Sequence, residues 1–355
     1  MDTINVLHIC DYAAAYRGNF IDSLEALEKH QDNIKNFYLF PARARQAPAE
    51  EWIKHLNTKD EVAYIQEKNF FKNIILFLNI IKTKKIDRIV RHFSDFRIDI
   101  IIKTFFDGQK VVRFFHCDCN RSANPVKHRI KEFVWKNNRL VGVSESIANK
   151  IRTVHPDFQV YSIVNAIRFD RLDSIDEFSR ENSTALLMMG WDYERKGVDL
   201  AIKAVRSLRE KYDIVLQIVG GKNEDKIKQL AKNILGSEVD WIRYLPPTNN
   251  IGTYYRASDI FLSPSRQEAF GYANIEAAYC KNSIVLSKVD GQGQLNIEGA
   301  YWVEPDNVED LTRQLEAAIL ELKLPERIAQ KERTKEQVRQ AYSLEEWAKK
   351  LSAVL

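Results

Sequence analysis

Short apolar runs alternate with helical patterns along the whole chain, and the runs are rich in branched side chains. Such runs predict strands of a parallel sheet that is buried on both faces. In the first half we predict strands at 4–9, 37–40, 86–90, 111–115 and 140–143, and a helix at 20–28. In the second half we predict strands at 186–189, 214–219, 241–244, 260–262, 284–287 and 300–303, and helices at 198–211, 225–235, 251–256, 273–280 and 308–322. This alternation predicts an α/β fold with two Rossmann-like domains.

A polar stretch at 168–182 separates the two blocks, and 355 residues suit two domains better than one. We therefore predict an N-terminal domain at 1–167 and a C-terminal domain at 168–340. A last helix at 341–355 is expected to pack back on the first domain. Because open α/β sheets bind ligands at the carboxyl ends of their strands, two facing domains predict a site in a deep cleft between them.

The composition is that of a folded globular protein, with 45% hydrophobic and 29% charged residues. No run of about 18 apolar residues is present, so we expect no membrane-spanning helix. The N-terminus has no basic region followed by a cleavage site, so we expect no signal peptide. Four cysteines are too few for a disulfide framework and suit a reducing cytoplasm. We expect a cytoplasmic protein.

Charge is distributed unequally over the chain, whose net charge is +4. Residues 1–165 hold 26 Lys and Arg against 19 Asp and Glu, and the excess is densest at 68–91. That segment contains Lys68, Lys72, Lys82, Lys84, Lys85, Arg88 and Arg91. Its apolar residues occupy one wide helical face, which is typical either of docking on an anionic membrane surface or of an internal helix with a solvated basic edge. Nucleic-acid binding is not expected, because no recognised module is present.

The strongest chemical motif is the segment 264–276, which follows a predicted strand and opens a predicted helix. Gly271 removes side-chain bulk where a backbone must approach a ligand. The backbone N–H groups of Tyr272, Ala273 and Asn274 would point from the helix N-terminus at an anion. Glu276 lies one turn further on, and a carboxylate there can accept hydrogen bonds from a ribose diol. Glu268 precedes the turn and is expected to face a sugar; two solvated glutamates are the alternative.

A second motif, at 188–199, also runs from strand to loop to helix and contains Gly190, Arg195 and Lys196. Cations just before a helix are unfavourable for the helix itself, and an anionic ligand would compensate. A solvated basic loop is the alternative interpretation.

Together these motifs resemble glycosyltransferase family 4, the retaining nucleotide-sugar enzymes of GT-B fold. The resemblance rests on Glu268 and Glu276 at a spacing of eight, on Arg195-Lys196-Gly197 and on the preceding Gly190. The segments 143–146, 163–167 and 255–265 also resemble those of the family. The resemblance covers nearly the whole chain and is clearest from 140 to 305.

The resemblance implies roles for the matching residues of the C-terminal domain. Lys196 would bind the donor diphosphate and offset charge on the leaving group, and Glu276 would hold the ribose. Glu268 would contact the transferred sugar, beside the backbone of Phe270 and Gly271. The family's second cation follows the glycine at 190, where this chain has Trp191, so Arg195 is expected to substitute.

Two positions of the N-terminal domain also match the family. Gly18, with its neighbour Asn19, matches a glycine-rich loop against the phosphates, although this chain has only one glycine there. His116, directly after the predicted strand at 111–115, matches a histidine that contacts the sugar. A buried structural histidine is the alternative.

The function implied by the resemblance is transfer of a hexose-type sugar from a nucleoside-diphosphate donor to a glycan or a lipid-linked saccharide. A UDP-sugar is the favoured donor and GDP-mannose the second. Fixed cations and N–H groups can stabilise the leaving diphosphate without a metal, and no Asp-x-Asp motif stands in the expected place. Cys117-Asp118-Cys119 beside His116 lacks the usual zinc spacing, so no metal or other cofactor is expected.

Three other functions are alternatives to this one. A non-catalytic subunit that binds or stabilises a partner transferase is favoured by Trp191 and by the reduced glycine loop. A nucleotide-sugar epimerase is the weaker alternative. A glycoside hydrolase is disfavoured, because nothing in the spacing of Glu268 and Glu276 places the carboxylates about 5 Å apart across a sugar.

Overall fold

The structure, a computed structural model, describes residues 3–14, 18–47, 49–56, 61–66, 69–93, 96–116, 125–173 and 182–355. Two compact units are present. One contains residues 1–167 together with 344–355, and the other contains residues 168–343. Each is built on its own parallel sheet.

The N-terminal unit has a seven-stranded sheet in the order β3-β2-β1-β4-β5-β6-β7. All of its pairs are parallel. The strands are β1 (Ile4–Cys10), β2 (Ile34–Pro41), β3 (Val62–Ile65), β4 (Arg88–His92), β5 (Val111–Phe115), β6 (Arg139–Gly142) and β7 (Val160–Ser162). The strand predicted at 86–90 begins two residues later, after a turn in which Lys85 has a φ of 49°. β3 and β7 were not predicted, because they are short and only partly buried.

In the described part of this unit, six helices connect the strands. They are α1 (Gly18–His30), α2 (Ala49–Ile53), α3 (Phe70–Thr83), α4 (Phe96–Phe105), α5 (Pro125–Trp135) and α6 (Glu145–Val154). Right-handed crossovers place α1 on one face of the sheet and α3 to α6 on the other. Between the sheet and α3 and α4 lies a core of branched and aromatic side chains that includes Leu7, Ile89 and Phe77.

The C-terminal unit has a six-stranded parallel sheet in the order β10-β9-β8-β11-β12-β13. The strands are β8 (Thr184–Met189), β9 (Ile214–Val219), β10 (Ile242–Leu245), β11 (Ile260–Ser263), β12 (Ser283–Ser287) and β13 (Tyr301–Val303). The helices are α7 (Val198–Leu208), α8 (Glu224–Leu235), α9 (Ile251–Ala257), α10 (Tyr272–Tyr279), α11 (Val308–Glu321) and α12 (Pro325–Ala341). In this half the predicted elements agree with the observed ones to within three residues, apart from α12, which was not predicted.

The last helix, α13 (Leu344–Val354), belongs to the N-terminal unit and packs on α1. Trp347 is buried with its ring 6.1 Å from that of Phe114. The guanidinium of Arg139 donates to the carbonyl oxygens of Val354 and Leu355, at 2.9 and 3.0 Å. Among the described residues, no helix is both long and apolar enough to cross a bilayer.

Candidate functional site

The loop between β8 and α7 brings Lys196 to the carboxyl end of the sheet. Gly197 caps α7 with a φ of +66°, and a Cβ there would lie 2.1 Å from the carbonyl oxygen of Pro264. Only glycine fits such a close approach, so the two sequence motifs are locked together at this point. Gly190 must also lack a side chain, because a Cβ at this position would lie 2.7 Å from the Cγ2 atom of Ile218. Both glycines therefore allow the close packing that positions Lys196 at this edge of the sheet.

The segment before α10 has a similar construction. Gly271 caps α10 with a φ of +93°, a conformation that side chains rarely adopt. A Cβ on Gly291 would lie 1.9 Å from the carbonyl oxygen of Ala269, and its N–H donates to the carbonyl oxygen of Glu268 at 2.9 Å. The turn is thus fixed from both sides, and it aims the N-terminus of α10 into a cavity.

This cavity lies entirely within the C-terminal unit and holds about 440 Å³, its open mouth included. We call it the Lys196 cavity. The cavity is lined by Lys196, Ser263, Ser265, Glu268, Gly271, Tyr272, Ala273 and Asn274, together with Met189, Trp191, Phe261 and Leu262. The structure therefore brings Lys196, Glu268, Gly271, Tyr272 and Ala273 together, as the two motifs lead one to expect. A positive side chain and the positive end of a helix dipole share one cavity.

Lys196 and Glu268 form a direct ion pair through Nζ and Oε2. Only 7% of Lys196 is exposed, so the pair is largely removed from water. Removing one partner of such a pair leaves an uncompensated charge, which is costly. An anionic ligand that takes over Lys196 would therefore release the carboxylate of Glu268 for another partner.

Arg195 and Trp191 flank this pair. Arg195 donates from Nε to the Asp192 carboxylate at 2.7 Å, and its Nη1 lies 3.7 Å from Oε2 of Glu268. Arg195 is not among the residues that line the Lys196 cavity. Trp191 does line the cavity, and Lys196 Nζ lies 5.1 Å from its ring centroid, a cation–π contact. The aromatic ring therefore holds Lys196 where a second cation would repel it.

Glu276 is buried beneath the site. Its Oε1 is paired with Arg171, and its Oε2 accepts a hydrogen bond from the Tyr255 hydroxyl at 3.1 Å. Burial and the neighbouring carboxylate raise the pKa of Tyr255 well above its usual range, so its hydroxyl remains a donor. Glu276 is not among the residues that line the Lys196 cavity. The partners Arg171 and Tyr255 are far from Glu276 in sequence, and sequence reasoning missed them.

A polar network that sequence reasoning also missed lies under the cavity floor. Gln292 donates to the carbonyl oxygens of Ser263 and Ser287, each at 3.0 Å, and accepts from Asn274 at 3.0 Å. The Oδ1 atom of Asn274, a residue that lines the cavity, is buried and has no hydrogen-bond partner among the residues that the structure describes. Buried polar atoms are normally paired, so this acceptor is suited to a ligand N–H or O–H. Phe270 is buried behind it against Tyr272 and Tyr342.

The N-terminal unit carries the remaining predicted site residues. His116 is half-buried directly after β5, and burial lowers its pKa to about 3, so the imidazole is neutral. Gly18 begins α1 with a φ of +64°, and Asn19 beside it is buried. Phe20 follows them and places its ring edge-on to His116, with 5.4 Å between centroids. The structure thus brings the start of α1 and His116 together within one unit.

Metal ligation was predicted to be absent. Cys117 and Cys119 lie outside the described residues. Within the described part of the chain, one group has the composition of a metal site: His128, Glu132 and His155. Oε1 of Glu132 lies 3.2 Å from His128 and 3.4 Å from His155, so the imidazoles and the carboxylate serve one another as partners. None of the three lines the Lys196 cavity.

The basic segment at 68–91 is only partly a surface. Arg91 is buried with its Nε 3.1 Å from Asp99, which also binds Arg113, so the expectation that Arg91 extends a surface patch is wrong. Arg88 donates to the carbonyl oxygen of Leu355. Exposed lysines remain at 72, 82 and 85, and Lys68 lies outside the described residues.

Apolar side chains are exposed beside those lysines, on the helices α3, α4 and α5. These helices contact one another in that order. We call this the apolar helix surface; it consists of Phe70, Phe71, Ile75, Leu78, Ile100, Phe105, Val126, Ile130 and Phe133. Phe71 is 77% exposed, Ile75 68% and Phe133 66%. So many large exposed apolar groups on one face mark an interaction surface.

Comparison with known proteins relates this architecture to glycosyltransferases. Residues 171–335 match the family model described as "Glycosyl transferases group 1". An uncharacterised glycosyltransferase of Haemophilus influenzae is 28% identical over 167 residues, 46% of this chain and 47% of that protein. The lipopolysaccharide glucosyltransferase WaaG of Escherichia coli is 29% identical over 174 residues, 48% of this chain and 46% of that protein. The chain thus aligns with about half the length of each relative.

Solved structures match over the full length. A glycosyltransferase from Rickettsia africae superposes with a TM-score of 0.81 at 19% identity, covering 100% of this chain and 98% of that one. Anabaena Alr3699/HepE, solved in complex with UDP and glucose, gives 0.75 at 13% identity, covering 99% and 98%. The predicted α/β architecture with two Rossmann-like domains is thereby confirmed, and it is that of GT-B glycosyltransferases.

Proposed function

We propose that this chain is a retaining, metal-independent glycosyltransferase of family 4. It would move a hexose-type sugar from a nucleoside-diphosphate donor to a glycan or lipid-linked saccharide in the assembly of cell-surface glycoconjugates. The observation that carries this proposal is the convergence of Lys196 and the N-terminus of α10 on one cavity. Both stabilise negative charge, and a departing nucleoside diphosphate develops negative charge.

The ion pair of Lys196 with Glu268 gives this site an exchange step. A diphosphate carries more charge than one carboxylate, so it would draw Lys196 away from Glu268. The released carboxylate, an acceptor at the same cavity, would then bind hydroxyl groups of the transferred sugar. Lys196 would stay on the diphosphate as the glycosidic bond breaks, so no metal ion is needed to offset its charge.

A UDP-sugar is the favoured donor and GDP-mannose the second. The UDP and glucose bound by Anabaena Alr3699/HepE, which shares this fold, support the first choice. WaaG, named a lipopolysaccharide glucosyltransferase, supports a glycolipid acceptor. Glu276, which lies beneath the site, would accept hydrogen bonds from the ribose hydroxyls. Arg171 and Tyr255 hold its carboxylate in one orientation.

The apolar helix surface suggests where the acceptor is found. Exposed aromatic and aliphatic groups beside Lys72, Lys82 and Lys85 have the composition of a surface that lies on an anionic bilayer. We propose that α3, α4 and α5 dock this unit on the inner face of the cell membrane, close to a lipid-linked acceptor. WaaG is named a lipopolysaccharide glucosyltransferase, and a lipid-linked acceptor of that kind would lie at such a bilayer.

Incubation with a panel of nucleotide-sugars and lipid-linked saccharides tests the enzymatic proposal. We expect release of one nucleoside diphosphate together with a glycoside whose anomeric configuration equals that of the donor, as read by NMR. Lys196→Ala should slow this release, and Lys203→Ala is its matched control. Lys203 is a half-exposed lysine of α7 that pairs only weakly with Asp199, at 3.8 Å. An inverted product would refute retention, and an isomerised free donor would indicate an epimerase.

A non-catalytic subunit is the second candidate. The observation that favours it is Trp191, an aromatic ring where the family has a cation. A chain of this kind would bind a nucleotide at the Lys196 cavity without releasing a diphosphate from any donor. Tight binding of nucleotide without turnover, on the same panel, would decide for it.

A further inference from the structure

Three histidines and one asparagine form a continuous line of polar contacts across the N-terminal sheet. Asn36 Oδ1 lies 3.0 Å from His8 Nε2. His8 Nδ1 lies 3.5 Å from His92 Nε2, and His92 Nδ1 lies 3.3 Å from His116 Nε2. We call this the histidine line. Asn36, His8 and His92 are fully buried, and His116 is its half-exposed end.

The strand register builds this line. Asn36 on β2 stands opposite Val6, and His8 is two residues beyond Val6 on β1. The same step recurs from β1 to β4, where His8 stands opposite Val90, two residues before His92. It recurs again from β4 to β5, where His92 stands opposite Phe114, two residues before His116. Because side chains two residues apart share one face, all four lie on the same side of the sheet. The line therefore runs diagonally and ends at the carboxyl edge, where α/β sheets bind ligands.

The direction of the hydrogen bonds is set at Asn36. Its Nδ2 donates to the carbonyl oxygen of Leu24 at 2.8 Å, so its Oδ1 must face His8. An oxygen can only accept, and His8 therefore carries its proton on Nε2 and accepts on Nδ1. Because Nδ1 of His8 accepts, His92 must donate to it and carries its proton on Nε2. Nδ1 of His92 then accepts in turn, so His116 also carries its proton on Nε2. The Nδ1 atom of His116 is left as an acceptor.

Among the described residues, aromatic rings pack against the line, and burial shields His8 and His92 from water. Phe20 lies edge-on to His92 and His116, and Phe114 stacks on His92 with 4.8 Å between centroids. Phe93 stacks on His116 at 4.3 Å and is held at a φ of 61°, which is unusual for a bulky side chain. Strain of this kind is typical of functional sites. Burial lowers the pKa of His8 to about 4 and that of His92 well below its usual value, so the imidazoles are neutral.

We propose that Asn36, His8 and His92 are positioning residues that hold His116 in its Nε2–H tautomer, so that Nδ1 accepts a hydrogen bond from a hydroxyl of the bound sugar. The part concerning the sugar rests on the proposed function; the part concerning the tautomer does not. A neutral imidazole with a fixed proton accepts from a hydroxyl without attracting anions.

Nuclear magnetic resonance of the full chain labelled with ¹⁵N-histidine tests the tautomer directly. We expect the long-range proton–nitrogen pattern of the Nε2–H form for His8, His92 and His116. An Nδ1–H form of His116, or an averaged pattern, overturns the proposal in the unaltered protein, whatever the variants do.

His92→Phe interrupts the line with a ring that fits among Phe20 and Phe114. We expect the Nδ1–H form of His116 to become populated in this variant, and also in Asn36→Leu, which removes the anchoring oxygen. His155→Phe is the matched control, because His155 is also buried in this unit but lies outside the line. If the tautomer of His116 is the same in all three variants, the line does not position it.

Turnover of deoxygenated donors separates this inference from the proposed function. With the accepted donor, His92→Phe should lower kcat/KM by about tenfold, the value of one hydrogen bond. With one of the monodeoxy analogues of that donor, the variant and the unaltered protein should have equal kcat/KM. No turnover of any donor by the unaltered protein defeats the proposed function and leaves the tautomer result standing. If His92→Phe lowers kcat/KM by the same factor with every deoxygenated donor, the contact between His116 and a sugar hydroxyl is refuted, whereas the tautomer result still stands.

Discussion

The two units use opposite chemistry at the carboxyl ends of their sheets. In the C-terminal unit the side chains are ionic: Lys196 pairs with Glu268, and Arg171 pairs with Glu276. In the N-terminal unit the corresponding edge presents the neutral His116 among phenylalanine rings. All seven histidines of the chain lie between residues 8 and 155, and residues 168–343 contain none. Fixed charges suit a diphosphate, whereas neutral imidazoles and rings suit the hydroxyls and apolar faces of a sugar.

The largest expected effect comes from the ionic edge. Lys196→Ala should lower kcat by about 10²- to 10³-fold, the range found when one group that stabilises transition-state charge is removed. Part of the loss comes from Glu268, whose unpaired carboxylate would repel a diphosphate. Steady-state kinetics on the accepted donor measure the change, with Lys203→Ala as the control.

The double variant Lys196→Ala/Glu268→Gln sharpens this prediction. If the ion pair exchanges with the diphosphate, removing the carboxylate should recover part of the lost nucleotide affinity but not the lost kcat. A Lys196→Ala variant with undiminished turnover would mean that the leaving group is stabilised elsewhere.

Acid should destabilise the N-terminal unit selectively. Burial lowers the folded-state pKa of His8 and His92 below the unfolded value of 6.5. Between that value and about pH 4 the unfolded chain binds more protons, so the free energy of unfolding falls as the pH falls. Each histidine contributes up to about 1.4 kcal/mol per pH unit. Urea unfolding followed through histidine ring protons reports on this unit alone, because the other has no histidine.

His8→Phe should remove about a third of that pH dependence, since burial lowers the pKa of His92 and of His116 as well. His55→Phe is the control, since His55 is exposed. An equal slope in His8→Phe and the unaltered protein would show that His8 takes up its proton as readily in the folded unit as in the unfolded chain.

A smaller effect is expected on the outer surface of the same unit. Phe71→Ser together with Ile75→Ser should lower the affinity for vesicles that contain phosphatidylglycerol by about tenfold or more, because each change removes most of an apolar side chain that the bilayer would bury. Leu320→Ser is the control, since Leu320 is 64% exposed on α11. Flotation measures the bound fraction.

Charge reversal separates electrostatic attraction to anionic lipid from the burial of apolar side chains in the bilayer. Lys72→Glu, Lys82→Glu and Lys85→Glu should weaken binding to anionic vesicles, and Lys232→Glu on α8 should not. Binding that is unaffected by all of the surface changes would contradict membrane docking through α3.

The smallest expected effect is that of chelation. EDTA should change kcat by less than about twofold, because Lys196 and the N-terminus of α10 supply the positive charge that a metal would supply. Activity that is lost on chelation and restored by Mg²⁺ or Mn²⁺ would contradict metal independence.

The order of the helices and strands can be predicted from the sequence, but the register between neighbouring strands cannot. Predicted strands such as 111–115 and 214–219 agree with β5 and β9 residue by residue, because each is a short apolar run with a single polar residue, Arg113 or Gln217. α12 escaped prediction, since its surface is charged nearly all round and only Thr334 and Val338 are buried.

The candidate site divides in the same manner. The sequence predicts that Lys196 and Gly271 lie near one another, because each follows a strand and opens a helix. It does not predict that Arg171 and Tyr255 hold Glu276, since those contacts link positions up to 105 residues apart. The histidine line was also hidden, because it depends on a two-residue step repeated over four strands. Long-range pairing of polar groups is set by tertiary packing, which local patterns do not record.

Calorimetric titration of the full chain with UDP and GDP, repeated with Lys196→Ala, tests the central claim most directly. We predict that one of the two nucleotides binds to the unaltered protein without added metal. At a hundred times its dissociation constant, it should stabilise the C-terminal unit by about 2.7 kcal/mol. Lys196→Ala should lose most of this affinity, and Lys203→Ala should keep it. Absence of binding by both nucleotides, or equal binding by Lys196→Ala, would contradict the assignment of the Lys196 cavity as the diphosphate site.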